Sequence, residues 1–214
     1  MKTVLDFNFL NKTALIRVDF NVPLDSNQKV LDNTRILSAK PTILKITEDG
    51  GSCVLMSHLG RPKGRNLKYS LKHILKDVEN VLDREVKFIP DCTGKETLKT
   101  ISSLQPGEIA IMENLRFYEQ ETSGCKKFAK KLSEFGDIYV NDAFGTAHRA
   151  HSSMVGVDVK TRAAGFLLKK ELEYFSKVLE GPDRPLTVVM GGAKVKDKIQ
   201  LIYNMPVSYT HLRA

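Results

Sequence analysis

The stretch Asp137 to Ser153, DIYVNDAFGTAHRAHSS, decides how the rest of this 214-residue chain is read. Its short apolar run, Ile138 to Val140, reads as a buried strand. The run opens at once into Asn141, Asp142, Gly145, Thr146, His148, Arg149, His151 and two serines. Donors and cations are thereby delivered to a strand's C-terminal end, the edge at which open α/β sheets receive ligands. One such stretch is equally a polar surface loop. The chain, however, repeats the arrangement.

Toward the N-terminus, Ala14 to Val18 is a strand that exits through Asp19, Phe20 and Asn21 and is stopped by Pro23. Asn33, Thr34 and Arg35 lead into a helical segment bearing Ile43, Leu44 and Ile46, with Pro41 either in its first turn or kinking it, and Gly50 and Gly51 at its end. Cys53 to Met56 is a second strand that opens into SHLGRPKGR (57–65), a donor-rich glycine loop. Ser70 caps a helix carrying Leu71, Ile74, Val78 and Leu82. Val86 to Ile89 is a third strand. Thr93 and Glu96 have capping-box spacing ahead of Leu98, Ile101 and Leu104. Ile109 to Met112 is a fourth strand and exits through Glu113, Asn114, Leu115 and Arg116. A helix from about Thr122 places Cys125, Phe128, Ala129, Leu132 and Phe135 on one face, with Gly136 as its stop.

Beyond the opening stretch, Thr161 to Glu180 has the spacing of a longer amphipathic helix (Ala164, Leu168, Leu172, Phe175, Leu179). Gly181, Pro182, Asp183 and Pro185 then have a domain-boundary composition. Leu186 to Met190 is a new strand entering a helix through Gly191, Gly192 and Ala193. The repeated βα order predicts a Rossmann-like three-layer α/β/α fold with a parallel sheet, followed by an interdomain helix and the first βα unit of an incomplete second α/β domain.

With 42% apolar residues the chain can bury a proper core. It has no apolar run of about 20 residues and no uninterrupted apolar segment near its start, so a soluble, cytoplasmic protein is expected. The net charge of +8 falls largely on Lys126, Lys127, Lys130, Lys131, Lys169 and Lys170, which read as solvated helix faces. No RNA-binding aromatic signature, zinc spacing or basic-region heptad appears, so neither nucleic acid nor membrane is an expected partner. Cys53, Cys92 and Cys125 are odd in number and widely spaced, as structural thiols are. His148 and His151 lack a carboxylate or cysteine at ligand spacing, so no metal site is expected.

Arg35, Arg61, Arg116 and Arg149 all follow strands or open helices. Guanidinium matches carboxylate and phosphate, and such a set converged on one sheet edge would hold a small polyanion. The alternative is that each pairs with an acid such as Asp32, Glu113 or Asp142. His58, at the start of the glycine loop, is the histidine best placed to touch a ligand. GGAKVKDK (191–198) is neither a Walker A motif nor GxGxxG, though its glycines and lysines suit phosphate.

Five segments, RVDFNVP (17–23), SHLGRPKG (57–64), ENLRF (113–117), NDAFGTAHRAHSS (141–153) and GGAKVKDKI (191–199), together closely resemble the phosphoglycerate kinases, in the same order. The resemblance implies a phosphoglycerate-binding domain over 1–160, an interdomain helix and hinge over 161–185, and the start of a nucleotide-binding domain over 186–204. It implies substrate contacts at Asp19, Phe20, Asn21, Arg35, His58, Leu59, Gly60, Arg61, Arg116 and Arg149. Arg35 and Lys194 would be catalytic, and Gly191, Gly192, Lys194 and Lys198 would serve the nucleotide. The implied activity is glycolytic phosphoryl transfer between 1,3-bisphosphoglycerate and Mg-ADP, giving 3-phosphoglycerate and Mg-ATP, by a monomer. MPVSYTHLRA (205–214) departs from the family pattern. The expectation is therefore a non-native tail, and a chain that binds 3-phosphoglycerate but does not turn over alone. The alternative function is a non-catalytic phosphoglycerate-binding module. A basic nucleic-acid-binding domain would instead show steeply salt-dependent binding.

Overall fold

The computed structural model describes residues 1–180. The chain divides into a unit of Met1–Phe175, which holds the whole sheet, and a second of Ser176–Ala214. Six strands, β1 (Thr13–Val18), β2 (Ser52–Met56), β3 (Val86–Ile89), β4 (Ile109–Met112), β5 (Ile138–Asp142) and β6 (Thr161–Ala164), form one sheet in the order β3-β4-β2-β1-β5-β6. Every neighbouring pair is parallel. The connections carry α1 (Thr34–Glu48), α2 (Leu75–Leu82), α3 (Lys95–Ser102), α4 (Glu119–Thr122) and α5 (Lys126–Ser133), and α6 (Phe166–Glu180) follows β6.

Strand periodicity of two sorts the core into two layers. Ala14, Ile16 and Val18 of β1, with Cys53, Leu55, Ile109, Ile111 and Val140, pack toward Ile36, Ile43 and Ile46 of α1 and Val78 of α2. Leu15, Val54, Met56, Ala110, Met112 and Tyr139 face the other way, toward Ile101 of α3 and Phe128 and Leu132 of α5. The central strands are apolar on both faces because helices cover both, as parallel sheets require. On α5 the lysines 126, 127, 130 and 131 lie opposite the buried Phe128, Ala129 and Leu132 and reach toward solvent. Among the described residues no helix is long and apolar enough to cross a membrane.

Several local expectations are corrected. Thr161–Ala164 is a strand paired to β5, and the helix expected from Thr161 begins at Phe166. The segment expected to be interdomain, 161–185, therefore opens inside the sheet. The Thr93–Glu96 capping box does not form: Gly94 precedes α3, and Thr93 N–H donates to Asp91 Oδ1 at 3.1 Å in a competing Asx turn. The helix expected from about Thr122 is split into α4 and α5 at Gly124, whose φ is +67°. Pro41 lies inside α1, past its first turn. The strand expected over Leu186 to Met190 lies outside the described residues.

Gly136 has no left-handed φ, so it is not a helix stop by conformation. Its smallness is what the fold needs. A Cβ there would sit 2.8 Å from Leu15 Cβ and 2.9 Å from the Leu15 nitrogen. Gly136→Ala is expected to destabilise the protein by about 1–2 kcal/mol through overpacking against β1, measured by urea denaturation; unchanged stability would show that β1 can yield.

Candidate anion site at the carboxyl edge of the sheet

The exits of the strands are stitched to one another by buried and part-buried hydrogen bonds. Phe20 N–H, after β1, donates to Ser57 Oγ, after β2, at 2.9 Å. Asn21 Oδ1 accepts from Gly60 N–H at 2.8 Å. Asn114, after β4 and fully buried, donates through Nδ2 to the carbonyls of Leu59 and Tyr69, each at 2.8 Å. Gly60 is left-handed (φ +62°), and any Cβ on it would overlap the Tyr69 ring, so glycine is required at this crossing. These bonds turn separate loops into a rigid rim, which is what a preorganised site needs.

Onto this rim the fold brings His58, Arg61, Arg116 and Arg149. Arg116 Nη1 donates to the Gly60 carbonyl at 2.6 Å. Burial first, and then the charges of Arg149, Arg17 and Arg61, push the Arg116 pKa down to about 10, so it stays cationic at neutral pH under repulsion. Arg61 is exposed at the margin. Arg149 is half-buried, and its Nε is buried without a hydrogen-bond partner. His58 is 3% exposed, and burial together with the charges of Arg17, Arg116 and Arg149 drives its pKa down to about 2. Its ring is therefore neutral.

The acids that could have quenched these arginines are occupied elsewhere. Glu113 accepts from Ser70 Oγ at 2.7 Å and Leu71 N–H at 2.8 Å. Asp32 accepts from the Thr34 amide at 2.8 Å. Asp142 accepts from the amides of Leu167 and Leu168, in the first turn of α6. Among the described residues Arg17, Arg61, Arg116 and Arg149 make no ion pair with a carboxylate. Arg35 does: it pairs with Asp19. Phe20 and Leu59, expected at the substrate, have their side chains in the core beneath the rim. Asn21, Leu59 and Gly60 also line a cavity of about 510 Å3 with Lys68 and Tyr69, beside the arginine cluster and not within it. Gly191, Gly192, Lys194 and Lys198 lie outside the described residues.

Two members of the site carry no clear mark in the sequence. Arg17 is 1% exposed and its charge acts on both His58 and Arg116; the available signal is a cation at an inward position of the apolar run ALIRV. Glu121, fully buried, accepts from the Ser153 amide at 3.0 Å and the Ser153 hydroxyl at 2.5 Å, and lies 3.7 Å from His151 Nδ1. It braces the loop that carries Arg149. Its position after β4 in a polar helix gives no sequence signal. His148 is exposed, whereas His151 is buried beside this network. No group of His, Cys, Asp and Glu suited to a metal ion occurs among the described residues.

Fold and site together define an α/β protein that gathers arginines without carboxylate ion pairs, among the described residues, along the carboxyl edge of a parallel sheet. The sequence model of the family "Phosphoglycerate kinase" matches residues 4–212, running past Asn204. The chain belongs to the phosphoglycerate kinase family. Its relatives include the phosphoglycerate kinase of Aspergillus oryzae, 50% identical over 219 residues covering 94% of this chain and 52% of that protein. That of Euplotes crassus is 54% identical over 211 residues, covering 91% and 50% respectively. The crystal structure of phosphoglycerate kinase from Pyrococcus horikoshii OT3 superimposes with a TM-score of 0.88 at 36% identity, over 97% of this chain and 53% of that one. The chain spans about half the length of the curated relatives it matches.

Proposed function

We propose that this chain is the glycerate-binding part of a phosphoglycerate kinase, an enzyme that moves a phosphoryl group reversibly between 1,3-bisphosphoglycerate and ADP, giving 3-phosphoglycerate and ATP in glycolysis. The observation that carries the reading is the gathering of Arg17, Arg116 and Arg149 around His58 without a carboxylate partner. Like charges held together in a buried place are unfavourable unless a ligand neutralises them. The 3-phosphate of a phosphoglycerate has the charge and acceptor count to do so.

In this reading Arg61, Arg116 and Arg149 clamp the phosphate and His58 donates to it. Arg35, half-exposed and aimed by Asp19, reaches the carboxyl end where transfer occurs, and Asn21 lies beside the glycerate. The attacking oxygen belongs to a carboxylate or phosphate that is already ionised, so positioning and charge neutralisation suffice and no general base is required. Mg-ADP or Mg-ATP is the co-substrate; Lys194 would stabilise the moving phosphoryl, and Gly191, Gly192 and Lys198 would hold nucleotide phosphate. Residues 1–160, with β6 added, form the glycerate-binding region, and 186–204 begin the nucleotide-binding one.

The test is thermal unfolding of the 214-residue chain with 3-phosphoglycerate or Mg-ATP added separately. At a hundredfold excess over Kd, 3-phosphoglycerate is expected to add about 2.7 kcal/mol of stability. No shift with saturating 3-phosphoglycerate would reject the reading.

A further inference from the structure

Arg17 is the largest fully buried side chain of the described residues, and it makes no ion pair that would account for that burial. It sits in β1 opposite Met56 of β2. Its Nη1 donates to the carbonyls of Val18 at 3.0 Å and Met56 at 3.2 Å, and its Nη2 lies 3.2 Å from His58 Nδ1. A guanidinium has donors only and keeps its protons near neutral pH. The partner nitrogen must therefore be the acceptor. A neutral imidazole has one acceptor nitrogen and one N–H, so acceptance at Nδ1 puts the proton on Nε2.

We propose that Arg17 is a positioning residue that fixes His58 as its Nε2–H tautomer, so that the ring offers a neutral, directed N–H donor to an anion at the strand edge. The parallel register of β1 and β2 supplies the geometry, because pairing Arg17 with Met56 brings the residue two places further on, His58, within reach of the fork. The groups facing the ring are Arg17, Arg116, Arg149 and His151. None is anionic, so protonating His58 would add one more charge to a cluster already short of anions. A neutral donor contributes a hydrogen bond to the ligand without that repulsion, and it does so at any pH near neutrality. The identity of the anion rests on the phosphoglycerate reading above; the tautomer does not.

The experiment is long-range 1H–15N correlation of the histidine rings in the complete, ligand-free chain. His58 is expected to show an unprotonated Nδ1 and a protonated Nε2, unchanged from about pH 5 to about pH 8. Arg17→Lys keeps the charge but loses the planar fork; it is expected to mix the tautomers and weaken 3-phosphoglycerate binding about five- to tenfold. His58→Gln, whose amide nitrogen falls near the Nε2 position, is expected to stay within about threefold of the parent affinity, while His58→Asn loses about tenfold. An Nδ1–H tautomer, a ring that titrates within that pH range, or Arg17→Lys with parental ring shifts would overturn the proposal. Failure of the parent chain to bind 3-phosphoglycerate would instead count against the proposed function and leave the tautomer measurement standing.

Discussion

Arg149→Ala is expected to weaken 3-phosphoglycerate binding by about a hundredfold, the upper end for one charged donor. A charge-assisted hydrogen bond contributes roughly 1.5–3 kcal/mol, and each ~1.4 kcal/mol is tenfold in affinity. Arg149 stands high in that range because its Nε is buried with no partner, so it has no internal hydrogen bond from that atom to exchange for a ligand contact. The fold should not suffer: removing its charge relieves Arg116, which feels it as repulsion, and leaves the neutral His58 ring without a charge to lose. The expected result is a protein that unfolds at or above the parental temperature and binds poorly in titration calorimetry. Arg35→Ala should cost less, about tenfold, since that side chain is 50% exposed and already shares its charge with Asp19. Parental affinity in both variants would refute the clamp.

Asp142→Asn is expected to make stability less dependent on pH and to raise it near neutrality by up to about 3 kcal/mol. The Asp142 side chain closes the start of α6. Its Oδ1 accepts from Leu167 N–H at 2.9 Å and Leu168 N–H at 3.2 Å, while its Oδ2 is buried without a partner. Burial pushes the carboxyl up to about 6 from an ordinary 3.8, outweighing the opposing hydrogen bonds from Thr42 and the helix amides. The native state thus holds a proton that the unfolded chain has released between about pH 4 and about pH 6. In that window stability falls as pH rises, by about 1.4 kcal/mol for each unit of separation. Asparagine keeps the Oδ1 acceptor and removes the charge at Oδ2. Urea denaturation should find the variant close to the parent at about pH 4 and more stable at about pH 7. A gap of equal size at both values would show that Asp142 does not titrate in this way.

The same residue shows why some of the site is hidden from sequence. In NDAF a polar pair after a strand reads as solvent-facing, and Asp142 reads as a possible arginine partner. Its actual environment comes from an element beyond it: Gly165, where any Cβ would overlap the carboxylate, lets the start of α6 close over it. Strand β6 escapes notice for a related reason. Thr161–Ala164 continues the three-and-four spacing of the helix after it, and only pairing with Ile138–Asn141 makes it extended. His58, Arg61, Arg116 and Arg149 are legible because each follows a recognisable strand end. Arg17 is not, since a charge inside an apolar run gives no sign of what it will meet.

The sequence by itself determined the alternation of strands and helices, the apolar faces and the edge of the sheet at which the cations gather, because these depend on periods of two and about 3.6 and on turn chemistry within a few residues. The five family segments in order also identified the kind of protein. Only the tertiary structure decided the order β3-β4-β2-β1-β5-β6, the uncompensated burial of Arg17 against His58, and the partners of Glu113, Glu121 and Asp142. Those features join residues 25 to 43 positions apart. Which distant groups share a dry, low-dielectric space is set by how the strands are ordered, and local pattern carries no record of that.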